Sequence, residues 1–124
     1  MQFNQVEELR IFQAAEMLGD QVWSEVLRWK PFARETIGIQ LVKSVDSIGA
    51  NIAEGYGRHH PKDVVNFLYM ARGSGQEAKF WLRRAGSRKL IAEGLLAKLM
   101  DDMEILSKQM NAFIRAKRAQ RTTK

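Results

Sequence analysis

The chain has 124 residues, 45% of them hydrophobic, with 20 Lys and Arg against 14 Asp and Glu, a net charge of +6 and no cysteine. That length fits one domain with a buried core, and the lack of cysteine excludes disulfides, thiolate metal sites and a cysteine nucleophile. No apolar stretch is long enough to span a bilayer, and none follows a basic start as in a signal peptide, so the expected setting is the cytoplasm, without a membrane. No stretch alternates apolar and polar residues with β-branched enrichment, so the chain is expected to be all-α.

Helix one is expected from about residue 6 to 29. Asn4 and Glu7 have the spacing of a capping pair. Ile11, Ala15, Leu18, Val22, Val26 and Trp29 recur at three- and four-residue intervals and form a core stripe. A second apolar row, Leu9, Phe12, Trp23 and Leu27, lies well round the cylinder and implies a second packing surface. Lys30 before Pro31 ends the helix, because the residue preceding proline is pushed out of the helical region. Helix two is expected from about 34 to 56. Its core stripe is Ile37, Leu41, Val45, Ile48 and Ile52, and Gly55 and Gly57 are its left-handed stop signals.

Helix three, about 61 to 87, opens with Pro61 at its first position and Asp63 in its first turn. Its stripe is Val64, Leu68, Ala71, Gly75, Ala78, Leu82 and Ala85. Gly73 and Gly75 cost about 1 kcal/mol each relative to alanine, a cost expected where another backbone comes close. Gly86, Arg88 and Lys89 break the chain again. Helix four, about 92 to 118, has the cleanest periodicity, in Leu96, Leu99, Met103, Leu106, Met110 and Phe113. Residues 119–124 are expected to form a basic flexible tail. Four long helices joined by short turns predict a single domain over residues 1–118, an up-down-up-down antiparallel four-helix bundle.

Beside the core stripe of helix two runs a polar row, Gln40, Ser44, Ser47, Asn51 and Glu54, with one ionisable residue in it. A packed, hydrogen-bonded seam that sets register is the favoured reading, and a solvated polar face is the alternative. Equal rise on antiparallel helices two and three would place Asn51 level with Asn66, Ser44 with Gly73 and Ser74, and Gln40 with Glu77. The string Ser47-x-x-x-Asn51-Ile52-Ala53-Glu54-Gly55-x-Gly57-Arg58, followed by Phe67-Leu68-x-x-Ala71-Arg72-Gly73-Ser74-x-x-Glu77, resembles the signature of the four-helix-bundle proteins encoded by intervening sequences in bacterial 23S ribosomal RNA genes. The resemblance covers nearly the whole chain. It implies a bundle with left-handed twist, assembly into a ring of identical subunits, a homopentamer in the family, and no defined activity. By fold analogy with accessory proteins of reverse transcriptases in diversity-generating retroelements, it also implies a nucleic-acid or polymerase-type partner.

Catalytic machinery is not expected. His59 and His60 are adjacent at a helix end rather than at ligand spacing, and Glu54 and Glu77 come without a histidine or metal motif. Gly73-Ser74-Gly75 lacks the lysine of a phosphate loop. The reading is therefore of a protein that is not an enzyme and takes no metal or cofactor. Its basic residues instead gather at helix ends. Arg58, Lys62, Arg115, Lys117, Arg118 and Arg121 belong to one end of the bundle, and Arg28, Lys30, Arg34, Arg83, Arg84, Arg88 and Lys89 to the other. Helix dipoles account for one or two cations per terminus, not for this number. The expected function is a noncatalytic accessory protein that binds RNA or DNA backbone through these patches. Docking of an acidic or polymerase-type protein is the alternative. Phe12, Trp23, Leu27, Phe67, Tyr69, Phe80 and Trp81 lie off the core stripes and are the expected interface of a homo-oligomer.

Overall fold

A computed structural model describes residues 9–122, and every regular element among them is helical. Helix α1 spans Arg10–Leu27. Helix α2 is composite, with a first turn Pro31–Ala33, a π-helical turn Arg34–Gly38 and an α-helical run Ile39–Tyr56. Helix α3 spans Pro61–Ser87 and α4 spans Glu93–Thr122. The proposed Asn4–Glu7 cap lies outside the described residues.

The helix limits depart from expectation at four places. Leu9 is extended, at φ −74° and ψ 132°, so α1 starts at Arg10 rather than near residue 6. It also stops earlier, at Leu27, where the Arg28 and Trp29 amides donate to the Glu25 and Val26 carbonyls at 3.1 and 3.0 Å. Helix α2 starts at Pro31 rather than near residue 34, because the fixed φ and missing N–H of proline suit the first helical position. Its π turn was not anticipated. There the Thr36 hydroxyl donates to the Phe32 carbonyl at 2.6 Å, competing for an acceptor of the backbone ladder. Helix α4 continues to Thr122, so residues 119–122, expected in a flexible tail, are helical. No Gly or Pro follows Phe113, and Arg, Lys and Ala all favour continuation.

Successive helices run antiparallel. Gly49 packs against Ala15 and Phe12, and Gly38 against Val26 and Trp29, which pairs α1 with α2. Gly55 meets Val64 and Phe67, and Gly75 meets Ile48, which pairs α2 with α3. Arg72 donates to Asn111 at 2.9 Å and Lys79 to Glu104 at 2.7 Å, which pairs α3 with α4. Helix α4 also packs on α1 and completes the bundle.

All the expected core residues of the first three helices are buried. On α4, Leu99, Met103, Leu106 and Met110 are buried, whereas Leu96 and Phe113 are only partly so. Val65, Ile91 and Ile114 join the core without having been assigned to a stripe.

No described glycine has a positive φ. Gly57 closes α2 at φ −80° and ψ 0°, so the left-handed stop expected there is absent. Gly55 instead serves close approach, since a Cβ there would sit 2.9 Å from Phe67 Cβ. Gly73 has nothing within 4 Å of the same position, so the close backbone contact expected of it is not made. Among the described residues the one with a left-handed backbone is Lys89, at φ 58°. It lets the Leu90 amide donate to the Ala85 carbonyl at 2.9 Å and the Lys89 amide to the Gly86 carbonyl at 3.0 Å, a Schellman ending to α3.

Candidate nucleic-acid interface

Antiparallel order puts the α2–α3 turn and the last turns of α4 at one end of the bundle. The α1–α2 and α3–α4 connections share the other. At the first end Arg58, Lys62, Arg115 and Arg118 are exposed, and Lys117 is partly so. Arg58 donates to Glu54 at 2.9 Å and lies 4.8 Å over the Phe67 ring. Lys117 stands 5.5 Å over Phe113. The side chain of Arg121 lies outside the described ones. His59 and His60 are exposed in the turn.

At the second end Arg28 pairs with Glu25 at 3.4 Å, and the same carboxylate accepts from the buried Trp29 indole at 3.0 Å. Among the described residues, Lys30, Arg34, Lys62, Arg83, Arg84, Arg88, Lys89, Arg115 and Arg118 have no ion-pair partner. The second cluster is split rather than single. Arg34 lines a groove of about 210 Å³ with Trp23, Leu27, Ile39 and Val42, on the α1 side of α2. Arg88 lines a different groove with Phe32, Ile37 and Trp81, on the α3 side.

The polar row is graded rather than uniform. Ser44 is buried, Ser47 and Asn51 are partly buried, and Gln40 and Glu54 are exposed. Its serine and asparagine bond within α2: Ser44 donates to the Leu41 carbonyl at 3.0 Å and Asn51 to the Ser47 carbonyl at 2.9 Å. Gln40 does not meet Glu77. It shares a groove with Trp81, whose indole donates to Glu77 at 3.2 Å, while Ser74 is partly buried. The connecting turn offsets the two helices by roughly one helical turn from the simple register. Glu54 engages Arg58 in the turn and Glu77 engages Trp81 on its own helix, and the two form no carboxylate pair.

The off-stripe aromatics divide in the same way. Phe12, Phe67, Tyr69 and Trp81 are partly buried, Tyr69 beneath the Arg72 guanidinium at 4.9 Å. Trp23, Leu27 and Phe80 are exposed. The sequence reading missed Met17, Phe32, Ile39, Met70 and Ile105, which are also exposed. Phe32 and Ile39 could have been noticed as apolar residues just off the helix-two stripe.

Among the described residues no group of three His, Cys, Asp or Glu could hold a metal ion, and no helix is long and apolar enough to cross a membrane. The sequence profile described as 23S rRNA-intervening sequence protein matches residues 7–112. The chain belongs to this family. A crystal structure of a protein of unknown function from the S23 ribosomal protein family of Bacteroides thetaiotaomicron is similar to it, with a TM-score of 0.76 at 19% identity. The likeness covers 84% of this chain and 97% of that one, and at such low identity it speaks to the helical fold alone. No curated protein matches. The family match includes the polar row and both grooves, and it stops before Arg115, Lys117 and Arg118.

Proposed function

We propose that this chain is a noncatalytic, self-associating accessory protein that binds the backbone of RNA or DNA through the cations at the two ends of its bundle. The observation that carries this reading is the set of unpaired Arg and Lys side chains at both ends, which intramolecular ion pairing does not use. Phosphates are the chemistry that such clusters attract, by neutralisation and counterion release. Arg58 can join them, because its exposed pair with Glu54 contributes only about 0–1 kcal/mol and exchanges readily for phosphate. Self-association is supported by Trp23 and Leu27, each 55% exposed beside an apolar groove on one face. A ring of copies, five being the number the resemblance implies, would repeat each basic cluster around its rim. The cysteine-free composition suits the cytoplasm.

Binding of short RNA and duplex DNA should fall by roughly 0.7–0.9 log units per log unit of salt for each phosphate neutralised. Changing Arg115, Lys117 and Arg118 to Gln should flatten that slope without unfolding the bundle. Arg84→Glu with Arg88→Glu examines the other end. No retention of either nucleic acid at low salt would rule this reading out. An acidic protein partner would then lead, supported by the same apolar and basic surfaces.

A further inference from the structure

The end of the bundle that holds the α1–α2 connection carries a feature that phosphate binding alone does not use. Phe32, in the first turn of α2, is 83% exposed, more than any other large apolar side chain described. It borders an open groove of about 610 Å³ whose apolar lining includes Ile37, Trp81 and Leu90 and whose one charged lining residue is Arg88. The Trp81 indole donates to Glu77 at 3.2 Å, and Phe80 packs edge-on against it at 4.9 Å. Lys89 sits between Arg88 and Leu90 at φ 58°, a conformation that glycine adopts cheaply and lysine does not. Lys89 is exposed and has no ion-pair partner among the described residues, so its charge is available beside that of Arg88.

Aromatic rings, an apolar floor and unpaired cations are the combination that holds an unpaired nucleotide. The rings stack on the base while guanidinium and ammonium groups meet the phosphate. A duplex offers its phosphates but keeps base faces stacked inside, so it has no use for Phe32 or Trp81. The one cation lining the groove, Arg88, complements a phosphate, and a second copy of this chain in the groove is the alternative that sedimentation tests. We infer that this groove binds single-stranded nucleic acid by stacking an unpaired base against Phe32 and Trp81, with Arg88 and Lys89 on the flanking phosphate. The inference rests on the phosphate-binding reading and adds base stacking to it.

Fluorescence anisotropy at one low salt concentration tests it, with labelled oligo(U), oligo(dT), a blunt duplex and an abasic strand of equal length. Wild-type protein should hold the base-bearing single strands about tenfold more tightly than the abasic strand or the duplex, the size of one base–aromatic contact. Either strand meeting this supports the groove, and the tighter of the two names the sugar. Phe32→Ala should bring both down to the abasic level with its sedimentation unchanged, and Arg88→Gln should weaken every strand alike. Equal binding of base-bearing and abasic strands overturns the groove and leaves phosphate binding standing. Failure to retain any strand removes both. A changed sedimentation rate for Phe32→Ala gives the groove to a second copy and overturns the inference.

Discussion

Lys89 pays a steric cost for its left-handed backbone, because its Cβ crowds the carbonyl oxygen, and glycine would not. Lys89→Gly should therefore stabilise the fold by about 0.5–1 kcal/mol in urea titration, after allowance for the greater freedom of glycine in the unfolded chain. A loss of stability would show that the Lys89 side chain contributes to the fold. Asp46 presents a second residue-scale test. Packing at Gly19 takes water from its carboxylate, and Asp20 adds negative charge, so its pKa rises above 3.8. Since the folded state then holds the proton more tightly than the unfolded chain, stability falls as pH climbs from about the ordinary carboxylate value through the raised one. Asp46→Asn should raise the Tm at pH 7, and the gain should shrink as pH falls below that window. Glu104 shows the opposite shift, lowered by the hydrogen bond from Lys79 and then by its charge.

At the scale of the helices, the glycines of the family-like motif separate into two kinds. Gly55→Ala should destabilise by about 1–3 kcal/mol, because Phe67 Cβ lies on α3 itself and can yield only if the helices part. Gly73→Ala should stabilise by up to about 1 kcal/mol, since the site is open and alanine favours the helix. Thermal unfolding of the two single variants should move in opposite directions. The last turns of α4 show how phase is lost over a long helix. A three-four pattern names Phe113 as the next core residue, but Ile114 is the buried one, at 3% exposure, while Phe113 stands beneath Lys117. A straight helix drifts about 20° per heptad, enough to bring the next position round. Ile114→Ala should cost about 2–5 kcal/mol, within the range for Leu106→Ala.

The whole molecule leaves two grooves on either side of α2, one lined by Trp23, Leu27 and Ile39 with Arg34 and Lys43, the other by Phe32 and Trp81 with Arg88. If the proposed function holds, self-association and ligand binding use different sides of α2 and can be tested separately. Trp23→Glu with Leu27→Glu should shift sedimentation toward monomer while the monomer keeps its helical circular dichroism. A wild-type protein that sediments as a monomer at micromolar concentration would refute the assembly. The basic ends would then act singly, and the salt slope per chain would be that of one set of cations.

The four helices and most of the core were legible in the sequence, because apolar spacing and the two prolines act within one helix. The same holds for the location of the cations, since short turns and antiparallel order send them to the ends. The candidate site was legible only in part. The sequence named Arg88 and Trp81 but not Phe32, and it placed Gln40 with Glu77, whereas Gln40 lies by Trp81. Helix stagger decides such neighbours, and stagger is set by how two helices' side chains fit together, as Gly55 on Phe67 and Gly75 on Ile48 do here. The division of cations between two grooves, the strain at Lys89 and the burial of Ile114 arise in the same way: each depends on contacts or chain closure that only the assembled bundle supplies.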